Sequence, residues 1–238
     1  RATGGAFEIA MGDAITAWGF GPAEADTDRI KAARLKPRRP SFDSLELDVT
    51  NGLARKHDAS TFDLSGIAKG YGVDRLAETL QAHGIAEGLV AIDGEVRALG
   101  CQTDGTAWPV AVEAPDRQAR AVHSMLALQD AAVATSGDYR HWVQVGERLL
   151  SHTIDPRTGA PLLDAPASVT VIAQSCMLAD AYATALMVMG PDAGKAFATQ
   201  NHLNALFLMR DGGEIRSLGA GQLFDTDARD PALLSRPA

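Results

Sequence analysis

Cysteine, aromatic side chains and long apolar runs are all scarce in this sequence of 238 residues. Its two cysteines, Cys101 and Cys176, allow one disulfide at most, which excludes a scaffold held together by several bridges. Two buried free thiols are the simpler interpretation, because cysteine is commonly a core residue. No apolar run approaches the roughly 20 residues that a membrane-spanning helix needs, so the sequence predicts no membrane span.

An excess of basic residues is absent as well. Lys and Arg number 22 against 30 Asp and Glu, which gives a formal net charge of −8. Proteins that bind nucleic acids usually present a basic surface, so the charge balance predicts no nucleic-acid partner. Small molecules that carry phosphate are not excluded, because local groups such as helix N-termini hold them. The apolar fraction of 46% and the charged fraction of 22% are those of a folded protein.

Short strand-like segments, interrupted by a few helices, make up most of the sequence. This order favours an α+β fold with mixed or antiparallel sheets and a few packed helices over a regular doubly wound sheet. Helical patterns occur at 27–35, 64–82, 176–189 and 192–201. Strand patterns occur at 45–49, 52–57, 89–92, 96–99, 108–113, 125–128, 131–135, 142–145, 148–151, 168–173 and 205–209.

Four local expectations follow from this pattern. Asn51-Gly52 predicts a hairpin turn between the first two strands. Gly84 should end the helix at 64–82, and Ile67, Tyr71, Leu76 and Leu80 should form its buried stripe. The strands from residue 96 to 113 should continue a meander with turns at the intervening glycines. The charged, proline-limited segment 21–43 is linker-like, and its charges are typical of a solvated face.

A glycine-containing turn at residues 63–71 is the first segment that suggests chemistry. Gly66 and Gly70 let a ligand approach the backbone, and the N–H groups of a helix start favour an anion. Lys69 has the wrong charge for the first helical turn, which is easier to explain if it meets an anionic ligand. The alternative interpretation is structural, with Asp63 as a helix cap and Lys69 as a solvated side chain.

The loop at residues 151–161 is the second such segment. A histidine side chain ordinarily titrates near neutral pH, so His152 is a candidate acid or base. Arg157 is a candidate phosphate ligand. The alternative is that Asp155 caps the turn and pairs with Arg157.

A carboxylate and a hydroxyl on the apolar helix at 176–189 form the third candidate site. Asp180 and Thr184 are four residues apart, so both lie on one helix face. Two hard oxygen donors suit Mg²⁺ or Ca²⁺ better than Zn²⁺. The alternative is that Asp180 pairs with a basic residue and Thr184 bonds the carbonyl of Asp180.

Taken together and in this order, these segments resemble the ApbE family of FAD:protein FMN transferases. The residues that carry the resemblance lie in eight stretches, namely 4–8, 17–21, 63–74, 94–97, 105–108, 135–139, 151–161 and 179–184. They cover nearly the whole chain, and eight ordered stretches are far more specific than any one of them. The resemblance implies a single ApbE-like flavin transferase domain over residues 1–238.

The resemblance also implies a reaction and a set of site residues. Family members bind FAD with Mg²⁺, transfer its FMN half to a Thr or Ser hydroxyl of a target flavoprotein, and release AMP. The implied metal ligands are Gly66, through a main-chain oxygen, with Asp180 and Thr184. The implied FAD contacts are Ala6, Phe7, Glu8, Asp63, Lys69 and Ile154, and Arg157 remains the candidate phosphate ligand from the loop. His152 or Asp155 would take the hydroxyl proton, and His152 is the preferred candidate.

Three departures from the family pattern stand out. Family members normally carry a long segment upstream of Gly-Ala-Phe, so the resemblance implies that the usual N-terminal segment is missing here. The usual Gly-Gly-Asp of the central turn is Asp93-Gly94-Glu95, and the Asp93 side chain is expected to crowd the ligand or reshape the turn. Glu8 stands where Asp usually follows Gly-Ala-Phe, which keeps the charge but lengthens the side chain.

Two other functions share the same residues. An FAD pyrophosphatase would use water as the acceptor and yield FMN and AMP. A non-catalytic flavin-binding or assembly module would need no metal pair, so Asp180 and Thr184 argue against it. By resemblance, the expected location is the periplasm or cell envelope.

Overall fold

The computed structural model describes residues 1–21, 23–140, 142–145 and 148–224. The helices in chain order are α1 (Gly12–Ala17), α2 (Thr27–Leu35), α3 (Ser41–Ser44), α4 (Ala68–Ala82), α5 (Cys176–Met189) and α6 (Pro191–Gln200). The strands are β1 (Leu45–Asp48), β2 (Leu53–Lys56), β3 (Gly88–Ile92), β4 (Glu95–Leu99), β5 (Trp108–Glu113), β6 (Val122–Leu128), β7 (Ala132–Gly137), β8 (Trp142–Val145), β9 (Arg148–Ser151), β10 (Ile154–Asp155), β11 (Ala160–Pro161), β12 (Ser168–Ala173), β13 (Asn204–Asp211) and β14 (Glu214–Ala220). The predicted α+β class is confirmed, and α5 has the predicted bounds.

A six-stranded sheet in the order β14-β13-β12-β7-β4-β3 forms the centre of the molecule. Each of its neighbouring pairs is antiparallel. Because side chains alternate between the two faces of a strand, the four inner strands β13, β12, β7 and β4 contribute to cores on both faces of the sheet. On β12, for example, Val169 and Val171 face one core and Ile172 faces the other.

Helices α4, α5 and α6 cover one face of the sheet. α5 packs across the centre of that face, where Leu186 and Met187 meet Val169, Val171 and Phe207 of the sheet. α4 packs beside it over β3 and β4, with Val73 and Ala77 fully buried. Burial of apolar surface, at about 25 cal/mol per Å², stabilises this layer. The helical layer therefore fixes where α4 and α5 meet.

The hairpin of β5 and β6 covers the opposite face. Val112 and Leu128 of the hairpin pack against Val96 and Val133 of the sheet. The predicted meander through residues 96–113 is wrong, because β4 pairs with β3 and β7, whereas β5 pairs only with β6 among the described strands. Sequence spacing alone did not show that the chain leaves one sheet for another after Leu99.

The buried face of α4 differs from the predicted one. Tyr71 and Leu76 are about half exposed, at 51% and 47%, so the predicted stripe is wrong at these two positions. Asp74 and Gly70 are buried instead, together with the alanine and valine named above. The prediction was wrong because Gly70 and Asp74 occupy the contact with α5, and hydrophobic periodicity does not count a glycine or a carboxylate. Gly84 follows the helix with φ +79°, as predicted for a terminating glycine.

The hairpin predicted around Asn51-Gly52 is confirmed, since β1 and β2 pair with Leu47 opposite Ala54. α1, α3, β10, β11 and β14 were not predicted. Among the described residues, no helix is long and apolar enough to cross a membrane.

The segment 21–43 is attached to α1 through Arg38. The Arg38 guanidinium donates to Oδ1 of Asp13 at 2.8 Å, to the Ala33 carbonyl at 2.8 Å and to the Ala10 carbonyl at 3.3 Å. Burial alone would raise the pKa of Asp13, but its bonds to Arg38 and Lys36 hold that pKa below its ordinary value. Arg38 therefore cross-links α1, the end of α2 and the segment that follows.

We expect Arg38→Ala to lower the free energy of unfolding by about 2 kcal/mol, because two carbonyls would lose their charged donor and Asp13 would keep only Lys36 as a charged donor. The neighbouring Arg39 is exposed, so Arg39→Ala is the matched control and should change stability by less than about 0.5 kcal/mol. Urea unfolding of both variants measures the difference. Equal effects would show that Arg38 does not anchor the segment.

Cys176 is fully buried at the start of α5, and burial raises the pKa of its thiol to about 12, with the charge of Asp74 adding to the shift. A raised pKa leaves less thiolate at any given pH, so Cys176 should stay unreactive toward a thiol reagent at pH 8.5. Cys101 is only partly buried and should be the thiol that reacts in the native protein. Both thiols should react in denaturant, and rapid modification of Cys176 in the native protein would contradict the packing of α5.

Candidate active site

A cavity of about 550 Å³ lies where the start of α4, the middle of α5 and the end of β7 come together. It is lined by most of the predicted site residues: Ala6, Phe7, Glu8, Asp63, Gly66, Lys69, His152, Ile154, Asp180 and Thr184. Asp155 and Arg157 are not among the lining residues. The fold thus brings together segments that are far apart in sequence.

The turn before α4 is shaped by Asp63. Oδ1 of Asp63 accepts a hydrogen bond from the Ser65 amide at 2.9 Å, and the Asp63 amide donates to the Ile9 carbonyl at 2.8 Å. The helix begins at Ala68, four residues later than predicted, and its cap residue Ile67 provides no side-chain bond. Asp63 is therefore a turn residue rather than the helix cap, and it places Gly66 on the cavity wall.

Lys69 lies in the first turn of α4 and is held by Glu95 from strand β4. Its Nζ is 2.9 Å from Oε1 of Glu95 and 4.0 Å from Oδ2 of Asp93. Burial alone would lower the pKa of Lys69, but the bond to Glu95 and the charges of Glu95, Asp180 and Asp93 raise it above its ordinary value. Lys69 is therefore a fixed cation, and it is not the solvated side chain of the structural alternative.

Glu95 is the most enclosed charged residue of the cavity, with an exposure of 2%. Burial raises the pKa of Glu95, and the bond to Lys69 opposes that change without cancelling it. In the part of the chain that the structure describes, Oε2 of Glu95 is buried without a hydrogen-bond partner. An unsatisfied buried oxygen is costly, which suits a site that a ligand completes.

Asp180 projects from α5 toward the start of α4. Its Oδ2 accepts from the Gly70 amide at 3.1 Å, and burial raises the pKa of its carboxyl while Gly70 and Lys69 oppose the shift. The approach requires glycine, because a Cβ on Gly70 would lie 2.3 Å from the Cys176 carbonyl oxygen. The structural alternative for Asp180 was a basic partner. What the structure shows is a main-chain amide, with Lys69 acting through its charge.

Thr184 lies one turn further along α5, and Gly66 lies opposite it. Thr184 Oγ1 is 3.1 Å from Ser136 Oγ of β7, so a side chain on the sheet orients it, and not the Asp180 carbonyl of the alternative interpretation. A Cβ on Gly66 would lie 3.0 Å from Thr184 Oγ1 and 3.2 Å from the Phe7 ring. The backbone at Gly66 therefore lies closer to Thr184 than a side chain on residue 66 would normally allow.

Asp180, Thr184 and the main-chain oxygen of Gly66 have the donor types that suit a hard divalent cation. Within the described residues, no three His, Cys, Asp or Glu side chains group as a metal site. The predicted set instead combines one carboxylate, one hydroxyl and a main-chain oxygen, all of which are donors that Mg²⁺ accepts. Asp180 is only 4% exposed and lies near a lysine that two other acids share, so further positive charge would favour its ionised form.

The N-terminal stretch closes one side of the cavity. The carboxylate of Glu8 accepts from the Ser41 amide at the start of α3, at 3.0 and 3.1 Å from its two oxygens, and from the Ala10 amide at 2.9 Å. The extra length of Glu relative to Asp is thus used to reach a second segment. Phe7 is placed over Gly66, and its amide donates to the Thr3 hydroxyl at 3.1 Å.

The loop at 151–161 contributes side chains both to the cavity and to the hydrophobic core. His152 lines the cavity, and Ile154 is buried against α1 and α2 while also reaching the cavity wall. Asp155 accepts from the Arg157 amide at 2.9 Å and from its guanidinium at 2.9 Å, so the structural alternative for this pair is what the structure shows. Because each satisfies the other, neither Asp155 as a base nor Arg157 as a phosphate ligand is placed at the cavity.

The Asp93-Gly94 turn keeps the geometry that two glycines would give. β3 and β4 pair up to Ile92 and Glu95, so Asp93 and Gly94 form a two-residue hairpin turn. Both residues have positive φ, +49° and +104°, as a type I′ turn requires, and Asp-Gly is a favoured pair there. The turn is therefore not reshaped, and what changes is the added carboxylate near Lys69.

Several lining residues were not predicted as site residues, among them Glu95, Glu113, Ser136, Tyr139 and Arg140. Burial, followed by the charge of Glu113, raises the pKa of Tyr139 to about 12, so its hydroxyl stays protonated. Glu95 and Ser136 both lie on the face of the sheet that the helices cover, and the alternation of side chains along a strand could have predicted this. That prediction would have required knowing which face α5 covers.

Comparison with known proteins identifies the family of the chain. The model of the ApbE family matches residues 1–207. An FAD:protein FMN transferase of Vibrio cholerae is 40% identical over 210 residues, which is 87% of this chain and 63% of that protein. A protein of the same name from Haemophilus influenzae is 35% identical over 216 residues, covering 88% and 62% respectively.

Two solved structures show the same fold. The apo flavinyl transferase ApbE of Pseudomonas stutzeri superimposes with a TM-score of 0.77 at 36% identity, over 92% of this chain and 68% of that one. The ApbE protein of Thermotoga maritima gives 0.76 at 28% identity, over 96% and 74%. This chain spans 63% and 62% of the lengths of the two curated relatives named above. The match over residues 1–207 shows that the chain belongs to the ApbE family.

Proposed function

We propose that this chain transfers the FMN half of FAD to a Thr or Ser hydroxyl of a target flavoprotein and releases AMP, with Mg²⁺ as cofactor. The observation that supports it most is the convergence of Lys69, Asp180, Thr184 and His152 on one cavity. Relatives named FAD:protein FMN transferase support the substrate and the reaction class.

The reaction exchanges one phosphorus–oxygen bond for another. The acceptor hydroxyl oxygen forms a bond to the phosphorus of the FMN half, and the bond from that phosphorus to the bridging oxygen breaks. The bridging oxygen leaves with AMP, and the hydroxyl proton passes to a base. Attack on a pyrophosphate is governed mainly by positioning and charge stabilisation, since both partners are rich in negative charge.

Lys69 supplies fixed positive charge to the diphosphate, because Glu95 holds its Nζ in place. Asp180, Thr184 and the main-chain oxygen of Gly66 would hold Mg²⁺, which when bound neutralises phosphate charge. His152, on the cavity wall, would accept the hydroxyl proton. Asp155 is not retained in this role, because Arg157 occupies its carboxylate.

An FAD pyrophosphatase would use the same residues with water in place of the hydroxyl. A target protein that becomes covalently fluorescent separates transfer from hydrolysis, because both reactions release AMP. A purely flavin-binding module is disfavoured by the buried Asp180 beside Thr184, since such a module gains nothing from the cost of burying that carboxylate.

Incubation of the chain with FAD, Mg²⁺ and a Thr-containing acceptor protein should give a fluorescent band on a denaturing gel, and EDTA should abolish it. Asp180→Asn keeps the shape of the side chain but removes the charge, so it should lower the transfer rate by at least about 100-fold. Asp192→Asn, on the exposed side of α6, is the control and should leave the rate unchanged. AMP release without a fluorescent band would favour the pyrophosphatase.

His152→Ala should lower the transfer rate by about 100-fold or more, which is the usual contribution of a general base, while FAD affinity changes by less than twofold. His83→Ala is the control, because His83 is exposed after the end of α4. Flavin fluorescence quenching measures the affinity, and the gel assay measures the rate. A His152→Ala protein that flavinylates at the normal rate would exclude this base.

A further inference from the structure

Asp74 is a buried carboxylate that does not line the cavity. It lies on α4 with an exposure of 5%, and the proposed reaction assigns it no role. A buried carboxylate is costly unless it is fully bonded, so its partners indicate what it is for.

Three groups bond to Asp74. Oδ1 accepts from the Cys176 amide at 2.9 Å, and Oδ2 accepts from the Met177 amide at 2.9 Å. Arg97 of β4 donates to Oδ1 at 2.6 Å. The two amides are the first two of α5, which have no partner within the helix, and a negative charge is favoured at that end. Asp74 therefore fixes the start of α5 to α4 and, through Arg97, to the sheet.

A second contact joins the same two helices with the roles exchanged, so that the carboxylate belongs to α5 and the amide to α4. The Gly70 amide of α4 donates to Oδ2 of Asp180 on α5 at 3.1 Å. Gly70 and Asp74 are four residues apart on α4, and Cys176 and Asp180 are four apart on α5, so each pair lies on one helix face. The carboxylate of each helix thus binds backbone amides of the other, one turn apart.

We propose that Asp74 is a positioning residue for the Asp180–Thr184 pair. By holding the first turn of α5, it sets the rotation and height of the helix that carries both side chains. It also provides two of the three carboxylate–amide bonds between α4 and α5. Without Asp74, the bond between Asp180 and the Gly70 amide would be the remaining one of this kind. The metal role of Asp180 and Thr184, on which this inference rests, is part of the proposed function.

The test compares Asp74→Asn with Ser175→Ala. Asn keeps the size but loses the charge and one acceptor oxygen. Ser175 is the cap of α5, and its Oγ accepts from the Leu178 amide at 3.3 Å, so Ser175→Ala weakens the same helix end without touching α4. Both variants should lower Tm. Asp74→Asn should weaken Mn²⁺ binding, followed by the EPR signal of the free ion, by about 10-fold or more, and Ser175→Ala by less than twofold.

Amide exchange gives a readout that needs no metal. Asp74→Asn should speed exchange of the Gly70 amide at least 10-fold, and Ser175→Ala should not. In the unmodified protein the amides of Gly70, Cys176 and Met177 should exchange at rates within a factor of a few, because one opening exposes all of them. That measurement stands even if Asp74→Asn fails to fold.

The outcomes separate the two proposals. An unmodified protein that binds no Mn²⁺ but shows the expected exchange pattern would contradict the metal part of the proposed function and support the role of Asp74. Equal effects of the two variants on Mn²⁺ binding and on Gly70 exchange would overturn the role of Asp74. A Gly70 amide that exchanges 100-fold faster than those of Cys176 and Met177 in the unmodified protein would overturn it too.

Discussion

The close approach of α4 and α5 is the constraint on which the rest of the site depends. It exists because residue 70 has no side chain, since a Cβ there would meet the Cys176 carbonyl at 2.3 Å. Glycine within a helix costs about 0.5–1 kcal/mol relative to alanine. In return the backbone amide of Gly70 reaches Asp180, and the first turn of α4 brings Lys69 to the same cavity. A larger residue would separate the lysine from the carboxylate and the hydroxyl of α5.

The electrostatics of the cavity follow from the same approach. One lysine is shared among Glu95, Asp180 and Asp93, in a protein whose formal charge is already −8. A diphosphate would add more negative charge to this region. A divalent cation on hard oxygen donors would compensate both the protein and the ligand, so the proposed metal and the lysine answer the same electrostatic demand. The Asp93 side chain adds negative charge at the rim in a turn whose geometry it leaves unchanged.

Much of the fold could be predicted from the sequence, because helices, turns and hairpins depend on local patterns. Ten of the twelve predicted site residues line one cavity, and several of these were predicted only from the family resemblance. The bounds of α5 follow from its apolar run and the Gly190-Pro191 stop, and the β1–β2 hairpin follows from Asn51-Gly52. What could not be predicted depends on partners that are distant in sequence. Tyr71 and Leu76 have helical spacing, yet α5 selects Gly70 and Asp74 for the contact. Arg157 has the chemistry of a phosphate ligand, yet Asp155 two residues away is the nearer anion.

The order of the central sheet has a consequence for how the protein reaches its native state. β7 lies between β4 and β12, so Val133 pairs with Val96 and Ala134 with Val171, and both pairings join segments far apart along the chain. High contact order of this kind is associated with folding in milliseconds to seconds rather than microseconds. The cavity needs β4, β7 and α5 together, so it forms only after these non-local pairings are made. Ligand binding would therefore report that β4, β7 and α5 have assembled, and a chain in which these pairings are not yet made would lack the cavity.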